Sequence, residues 1–500
     1  MKKFNELKNT NLKILIVTPE AFPLARTGGL GDVAGSLVIT LSKLNQNVAL
    51  AMPKYKKKEI DLVSPQLEMN NITLSLGNEK VKGAVYSSKI DSDIDVYFID
   101  NPKYFYREEL YGTSHGDYLD NDERFIFFSK VLIEFLINSN KRFDIIHCND
   151  WQTALIPLFL KTIYSNNGIF QETATVYTIH NLAYQGLFPP ESILLTGLGW
   201  SYFTPDKLEF WGKLNFMKAG LLYSDVINTV SKKYSHEIQT EEFGCGLEGV
   251  LKKRRDSLFG ILNGVDYKVW NPTDDRMIKA NYSIRSIYKK QINKEDLIKE
   301  TNLKINPKWP LIGMISRLAE QKGFDLLTKI LDKLMEIDLG IVILGKGDKK
   351  YEDELLKFKE RYPNKMAARI EFNEILSHKI EAGADIFLIP SKYEPCGLNQ
   401  MYSLKYGTVP VVRATGGLDD TIIEFDPKTE TGNGFKFENY SPEDFLNAIK
   451  KALEVYKDKK KWEKLIKNGM KQDFSWGQSA KEYLNLYKFA IEKRLNRKIF

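Results

Sequence analysis

The chain has 500 residues, which is too long for one hydrophobic core and predicts two domains, with three as the alternative. Hydrophobic residues make up 43% and charged residues 27% of the sequence, which is ordinary for folded domains and excludes extensive disorder. The net charge of +7 comes mainly from scattered lysines, a distribution typical of solvated surface that argues against nucleic-acid binding.

The three cysteines, Cys148, Cys245 and Cys396, are far apart and have no CxxC spacing. We therefore expect neither a disulfide framework nor a structural zinc site. The first apolar run, residues 12–17, is too short for a signal sequence or a membrane span. These features favour a cytoplasmic protein with no membrane partner, and they leave its oligomeric state open.

The first half of the chain alternates predicted strands and helices. A strand over 12–18, a glycine-bearing loop, a helix over 32–44 and a strand over 47–52 form a βαβ unit, which requires a parallel sheet. Further strands are predicted at 96–100, 144–148, 175–180 and 226–230, with helices at 122–138, 153–164 and 207–223. We interpret residues 1–256 as a doubly wound, Rossmann-like α/β domain.

A second series of the same kind is predicted over residues 257–474. Its strands are predicted at 258–262, 311–316, 340–344, 370–372, 386–390 and 409–412, with helices at 324–335 and 350–361. Two such domains in tandem predict a deep cleft between their carboxyl edges. Helices without strands follow at 441–456, 459–471 and 475–494, and we expect residues 475–500 to pack back on the N-terminal domain.

The loop between the first strand and the first helix contains Arg26, Thr27, Gly28 and Gly29. Glycines allow the backbone to approach a ligand closely, and a helix N-terminus offers N–H donors to an anion. The spacing is not GxGxxG, so a dinucleotide fingerprint is absent. A tight turn is the alternative, but Arg26 beside the glycines favours an anion site.

Polar side chains end two neighbouring strands of the first half. Asp150 and Trp151 follow one strand, and His180 and Asn181 end the next. Polar groups with an aromatic ring beside them suit a sugar, which has hydroxyls on its rim and C–H groups on its face. His180 with Asp150 alone does not predict a metal site. The alternative for His180 is a core histidine satisfied by the backbone.

Two cations follow a strand of the second half. Arg317 offers a planar fork to two phosphate oxygens, and Lys322 adds a compact charge five residues later. Paired cations at the carboxyl end of a strand suit a diphosphate. Two solvated surface cations are the alternative.

Glu394 lies where a predicted strand, 386–390, turns into a short helix beginning at Leu398. Such a helix N-terminus favours an anion, so a glutamate there is unexpected. A ligand with two ends resolves this, with phosphate on the amides of Gly397 and Leu398 and hydroxyls on Glu394. The alternative is a glutamate that caps the helix. A further glycine turn, 415–418, lies on the same edge and offers more amides to phosphate.

Taken together, the ordered motifs resemble the glycogen and starch synthases of glycosyltransferase family five, from about Lys13 to Tyr487. The motifs are Thr27–Val33, Asn149–Trp151, Thr178–Asn181, Ile261–Asp266, Ser316–Arg317, Gln321–Gly323, Glu394–Leu398 and Thr415–Leu418. The resemblance implies a GT-B fold. It also implies transfer of glucose from ADP-glucose to the 4-OH of a growing α-1,4-glucan such as glycogen, with retention and with no metal or other cofactor.

The resemblance also implies roles for individual residues. Arg317 and Lys322 would hold the diphosphate and stabilise its charge, Glu394 would bind sugar hydroxyls, and His180 would hold the glucose 6-OH. The remaining substrate-binding positions would be Arg26, Thr27, Gly28, Gly29, Asp32, Tyr111, Asp150, Trp151, Asn181, Asn263, Cys396, Gly397, Leu398, Thr415, Gly416 and Gly417.

Two positions depart from the family pattern: Arg26 replaces the usual lysine, and Asn149 stands where relatives often have histidine. Arginine keeps the charge but is larger and forked, which leaves open the choice between ADP-glucose and UDP-glucose. The alternatives are therefore a GT-B enzyme with another donor or acceptor, and a glucan-binding protein without catalysis. Glycogen phosphorylase is a weaker alternative, because no pyridoxal-binding lysine is evident.

Overall fold

The computed structural model describes residues 11–91, 93–113 and 115–496, and it divides into two units. The first contains residues 11–230, 235–264 and 476–496, with the gaps just given, and the second contains residues 231–234 and 265–475. Residues 1–10 of the expected N-terminal domain and residues 497–500 of the expected C-terminal segment lie outside the described residues. The predicted fold class, two doubly wound α/β units, is confirmed.

The first unit is built on a nine-stranded sheet of order β14-β13-β9-β8-β1-β2-β5-β4-β3, which is parallel except for the β3–β4 and β4–β5 pairs. Its strands, with two small additional sheets, are β1 (Lys13–Val17), β2 (Asn47–Pro53), β3 (Gln66–Leu76), β4 (Glu79–Ile90), β5 (Ile94–Asp100), β6 (Gly112–Thr113), β7 (Gly116–Asp117), β8 (Ile145–Asn149), β9 (Ala174–Ile179), β10 (Leu187–Phe188), β11 (Glu209–Phe210), β12 (Lys213–Asn215), β13 (Val226–Thr229) and β14 (Leu258–Gly260).

The described helices before residue 260 are α1 (Gly29–Lys43), α2 (Lys58–Leu62), α3 (Pro102–Phe105), α4 (Asn121–Asn138), α5 (Leu155–Lys161), α6 (Ser192–Thr196), α7 (Phe216–Tyr223), α8 (Lys232–Glu237) and α9 (Glu248–Lys253). In the sheet, β1 pairs with β2 on one side and β8 on the other. The strand order therefore reverses between β1 and β8, and a doubly wound sheet binds ligands outside the carboxyl ends of such a pair.

The helix predicted over 207–223 is wrong in its first half. Residues 209–215 form the β11–β12 hairpin, and only Phe216–Tyr223 is helical. Leu208 and Leu214 are buried on either side of the turn, so their burial follows strand pairing rather than a helical face.

The strand predicted at 258–262 forms part of the first sheet rather than the second. Leu258–Gly260 pairs in parallel with β13, and the chain enters the second unit only at Val265. The change of unit therefore falls after residue 264 instead of after residue 256.

The second unit has a six-stranded parallel sheet of order β17-β16-β15-β18-β19-β20. Its strands are β15 (Leu311–Ile315), β16 (Gly340–Leu344), β17 (Met366–Arg369), β18 (Ile386–Ile389), β19 (Val409–Arg413) and β20 (Phe435–Phe437). The strand predicted at 370–372 is therefore displaced, because β17 ends at Arg369. The order reverses between β15 and β18, which marks a second ligand-binding edge.

The remaining described helices are α10 (Lys290–Glu300), α11 (Phe324–Met335), α12 (Lys349–Arg361), α13 (Glu374–Gly383), α14 (Asn399–Tyr406), α15 (Gly416–Thr421), α16 (Pro442–Lys457), α17 (Lys459–Met470) and α18 (Trp476–Asn496). Helix α18 belongs to the first unit, where Tyr483 and Tyr487 are fully buried. The Tyr487 hydroxyl lies 2.9 Å from His147 Nδ1, and Asn228 donates to the Tyr483 hydroxyl at 3.2 Å.

Candidate functional site

A cavity of about 230 Å³ lies in the second unit at the carboxyl ends of β15 and β18, where the strand order reverses. Arg317 and Lys322 line it from the loop after β15, and Glu394 and Gly397 line it from the loop after β18. The structure therefore brings together the two cations and the glutamate that the sequence predicted for one ligand.

Glu394 is held by two donors inside this cavity. Lys322 Nζ donates to Glu394 Oε2 at 2.6 Å, and the Ser391 hydroxyl donates to the same oxygen at 3.0 Å. The N-cap of α14 is Leu398, and no side chain caps that helix. The alternative in which Glu394 caps the helix is therefore wrong, and its carboxylate is directed by Lys322 and Ser391 instead.

Arg317 is exposed at the edge of the cavity. Its Nη2 donates to Gln321 Oε1 at 3.3 Å, and both residues belong to the loop after β15. A guanidinium has five N–H groups, so this one hydrogen bond orients the side chain and leaves donors for an anion.

The glycine turn before α15 packs directly on the loop that carries Glu394. A Cβ on Gly416 would lie 2.0 Å from Glu394 O, and one on Gly417 would lie 2.0 Å from Cys396 O. The Gly417 amide donates to Glu394 O at 3.2 Å, so it supports the loop rather than offering itself to phosphate. Thr415, which is buried, is the N-cap residue of α15.

In the first unit, the loop between β1 and α1 leaves room for a ligand. Gly28 is the N-cap of α1, no side chain caps the helix, and a Cβ on Gly28 or Gly29 would meet nothing within 4 Å. Packing therefore does not require glycine at these two positions, and both residues are exposed at the N-terminus of α1. Arg26 Nη1 pairs with Asp32 Oδ1 at 2.8 Å beside them.

Asp150 links the ends of β8 and β9. Its backbone is left-handed, with φ of 55°, and its Oδ1 accepts the His180 backbone N–H at 2.8 Å. Burial raises the pKa of Asp150 to about 7, although the backbone N–H of His180 opposes the shift. This carboxyl group therefore fixes the turn that presents His180.

His180 is a neutral ring of defined tautomer. Asn149 Nδ2 donates to Val17 O at 3.1 Å, so Asn149 Oδ1 is the acceptor that lies 2.9 Å from His180 Nε2. The hydrogen of the neutral ring is therefore on Nε2, and Nδ1 is an acceptor. Burial lowers the pKa of His180 to about 3, so the ring carries no charge near neutral pH. His147, by contrast, is fully buried in the core.

Trp151 was expected to present its ring to a sugar, but the structure places the ring elsewhere. It is buried, with its ring centre 5.0 Å from that of Phe125 and 5.5 Å from that of Phe188. A Cβ on Gly186 would lie 2.6 Å from the indole. The indole is covered by these neighbours, so Trp151 supports the loop by packing.

Two other predicted residues carry buried oxygens that make no hydrogen bond with the described residues: the Tyr111 hydroxyl and Asn263 Oδ1. Burial, and next the proximity of Glu20, raise the pKa of Tyr111 well above its usual value. Tyr111 therefore lies near two buried carboxyl groups, those of Glu20 and Asp150. Asn181 Oδ1 accepts the Ala183 N–H at 3.0 Å and shapes the loop after β9.

Glu20 is a site residue that the sequence reasoning missed. It is buried, and its carboxylate accepts hydrogen bonds from the Thr27 backbone N–H and from Thr27 Oγ1. Burial raises the pKa of Glu20 to about 7. A carboxylate three residues after the end of β1, in a stretch otherwise apolar, is the signal that identifies it.

Two family models match consecutive parts of the chain. Residues 13–253 match the starch synthase catalytic domain, and residues 295–472 match the glycosyl transferases of group 1. The first match covers the loop with Gly28 and Gly29 as well as Asp150 and His180. The second covers the cavity with Arg317, Lys322 and Glu394.

Relatives named as glycogen synthases match almost the whole chain. The glycogen synthase of Koribacter versatilis is 47% identical over 97% of this chain and 99% of its own length. The chain belongs to the glycogen and starch synthase family. The glycogen synthases of Moorella thermoacetica and Thermotoga maritima are 48% and 46% identical, over 97% and 96% of this chain and 98% and 99% of their own lengths.

A solved structure of this family has the same fold. The catalytic domain of starch synthase IV from Arabidopsis thaliana, bound to ADP and acarbose, has a TM-score of 0.86 and 31% identity, over 97% of this chain and 100% of its own. Sucrose-phosphate synthase from Thermosynechococcus elongatus, at 16% identity and a TM-score of 0.59, shares the fold alone over 95% and 98% of the two chains.

As a member of the glycogen and starch synthase family, the chain is a glycosyltransferase of GT-B fold with glucan-elongating activity. Within the described residues, no three His, Cys, Asp or Glu side chains are grouped to hold a metal ion. No helix of the described chain is long and apolar enough to span a membrane.

Proposed function

We propose that this glycogen synthase family member transfers glucose from ADP-glucose to the non-reducing 4-OH of an α-1,4-glucan, with retention at the anomeric carbon. The observation that carries the proposal is the grouping of Arg317, Lys322 and Glu394 around one cavity at the reversal of strand order. The ADP bound to the related starch synthase IV supports the choice of nucleotide.

Arg317 and Lys322 are proposed to bind the diphosphate. Lys322 has three N–H donors and uses one on Glu394, which leaves two for phosphate oxygens. When the bond between the glucose C1 and the diphosphate breaks, negative charge develops on the leaving oxygen. Fixed cations beside that oxygen stabilise the transition state more than the bound donor, which is the condition for catalysis.

Glu394 is proposed to accept hydrogen bonds from the glucose hydroxyls. Both of its protein donors, Lys322 and Ser391, bind Oε2, so Oε1 is the oxygen that accepts from the sugar. Because the two donors fix the carboxylate, the donor sugar is oriented with little loss of side-chain entropy at the moment of binding.

Phe372 is proposed as the surface on which the adenine stacks. It follows β17, which lies two strands and therefore about 10 Å from β15, along the same carboxyl edge. Its side chain is 85% exposed, so the face of the ring is accessible to a base. An adenosine extending from a diphosphate at Arg317 reaches about this far.

His180 is proposed to accept a hydrogen bond from the glucose 6-OH. Its Nε2 hydrogen is engaged by Asn149, and its Nδ1 is the acceptor of the neutral ring. Burial lowers the pKa of His180 to about 3, so the ring is neutral near pH 7, and its proposed role is to position the sugar.

Retention is proposed to proceed on one face of the sugar, without a covalent glycosyl-enzyme. Glu394 Oε1 is proposed to accept from the sugar hydroxyls, and Asp150 Oδ1 accepts the His180 backbone N–H, so neither carboxylate is assigned the role of nucleophile. The C1–oxygen bond to diphosphate breaks, the acceptor O4 forms the new C1–oxygen bond, and the leaving phosphate oxygen takes the proton of the 4-OH. Glucose is transferred and nucleoside diphosphate is released.

The test is a two-donor assay on the purified protein. Glycogen primer is incubated with ADP-glucose and, separately, with UDP-glucose, and both nucleotide release and incorporation of glucose into glycogen are measured. We expect ADP-glucose to be the better donor. A preference for UDP-glucose would overturn the donor assignment, and glycogen binding without nucleotide release from either donor would indicate a glucan-binding protein.

A further inference from the structure

The β11–β12 hairpin of the first unit has a turn that its sequence does not favour. Phe210 pairs with Lys213, so the loop has two residues, Trp211 and Gly212, with φ of 53° and 76°. Positive φ at both central positions defines a type I′ turn, in which asparagine followed by glycine is strongly preferred. A tryptophan at the first position is a costly choice, since bulky side chains avoid left-handed backbone.

Burial does not offset this cost. The Trp211 side chain is 83% exposed, so it gains little of the stabilisation that a buried indole provides. A residue kept in an unfavourable backbone conformation without a packing benefit indicates that the exposed ring itself has a function.

The surrounding structure holds the hairpin rigid. Gly212 N donates to Glu209 Oε1 at 2.7 Å across the turn, and buried Lys218 donates to Glu209 O at 2.7 Å and to Pro205 O at 2.6 Å. A Cβ on Gly246 would lie only 2.8 Å from the Phe210 ring. The backbone that carries the indole is therefore fixed, so binding to the ring requires little ordering of the hairpin.

We propose that Trp211 is a platform on which glucose units of polymeric α-glucan stack, as a contact additional to the chain end that reacts. A flat indole beside polar Glu209 and exposed Lys213 suits a ring with C–H groups on its face and hydroxyls on its rim. If Trp211 were the central residue of a protein–protein interface, we would instead expect surrounding apolar residues that exclude water from it. The inference rests on the proposed function, because that function supplies the polymer.

The variant Trp211→Asn separates binding from folding. Asparagine suits the first position of a type I′ turn, so the variant removes the ring and the backbone strain together. We expect its affinity for glycogen, measured by retardation in glycogen-containing native gels, to fall about tenfold. We also expect its Tm to rise by about 2 °C, and its transfer to maltotriose to stay unchanged.

Tyr288→Asn is the matched control, since Tyr288 is an aromatic residue of the second unit that is 73% exposed. It should leave glycogen retardation unchanged. Unchanged retardation of Trp211→Asn would overturn the platform, and so would an equal loss of transfer to maltotriose and to glycogen. If the wild-type protein transfers no glucose, the proposed function fails, whereas the gels still measure the contribution of Trp211 to binding.

Discussion

Lys322 Nζ lies 2.6 Å from Glu394 Oε2, although the two residues come from loops 72 positions apart in the chain. The cation proposed for the diphosphate and the carboxylate proposed for the sugar thus form one ion pair. A change at either residue therefore alters the other, because Glu394 is buried and loses its charged partner when Lys322 is removed.

Lys322→Ala should lower kcat by roughly 10²-fold or more, the scale for losing one preorganised charge at a developing anion. Glu394→Gln should also impair transfer, and the double variant should be less impaired than the product of the single effects, because the two side chains act as a unit. Steady-state kinetics on the four proteins measure this coupling. Near-normal turnover of Lys322→Ala would remove the diphosphate assignment.

Arg317→Ala should likewise lower kcat/KM by roughly 10²-fold or more. Arg317→Lys should restore only part of the activity, because lysine keeps the charge but lacks the fork that binds two phosphate oxygens. Lys329→Ala is the control, since Lys329 is an exposed cation on α11 that does not line the cavity. Equal effects of the Arg317 and Lys329 changes would contradict a specific role.

Phe372→Ala should raise KM for ADP-glucose by about tenfold while changing kcat little, since the ring is proposed to contact a part of the donor that does not react. Phe372→Tyr, which keeps the aromatic face, should behave like the wild type. The measurement is initial rate against ADP-glucose concentration at saturating glycogen. A fall in kcat with unchanged KM would argue against stacking of the base.

Gly417→Ala and Gly28→Ala should differ in stability although both add one methyl group. The Cβ on Gly417 meets Cys396 O at 2.0 Å, so we expect a destabilisation of about 1–3 kcal/mol. The Cβ on Gly28 meets nothing within 4 Å, so its free energy of unfolding should change by less than about 0.5 kcal/mol. Urea unfolding of both variants checks this, and equal destabilisation would contradict the loop packing.

Asp150→Asn should change how stability depends on pH. Burial raises the folded-state pKa of Asp150 from its usual 3.8 to about 7, so the folded protein binds this proton more tightly than the unfolded chain. The stabilisation that the folded protein gains by binding this proton is complete below pH 4 and is lost as the pH rises through 7. Asparagine does not titrate but can still accept the His180 N–H.

The free energy of unfolding of Asp150→Asn, relative to wild type, should therefore increase between pH 4 and pH 8, by at most about 4 kcal/mol. Urea unfolding of both proteins at several pH values measures the difference. Parallel curves would show that Asp150 does not titrate in this range.

Sequence patterns predicted most strands of both sheets because a strand buried on both faces is a continuous apolar run, as in Leu311–Ile315. They did not predict the β3–β4 hairpin, in which buried Ile72 and Leu74 alternate with exposed Thr73. They also placed Leu258–Gly260 in the wrong sheet. A short apolar run indicates a strand, but only pairing with β13 decides which sheet receives it.

The sequence indicated which residues belong to the candidate site, but it did not indicate the contacts between them. Arg317, Lys322 and Glu394 were identified because charged residues at the carboxyl ends of parallel strands meet at one edge. The pairing of Lys322 with Glu394 depends on side-chain geometry that no spacing encodes. Trp151 was expected to face a sugar, and its burial depends on Phe188, which lies on the small sheet inserted after β9.

Helix α18 affects how this protein forms during synthesis. Tyr483 and Tyr487 complete the interior of the first unit through Asn228 and His147, yet in the chain they follow the whole of the second unit. The second unit, which ends at Ser475, is fully translated before them. The second unit should therefore complete its folding before the first during synthesis, because the first unit lacks helix α18 until the second has been translated. This order is the reverse of the usual one, in which the N-terminal domain folds first.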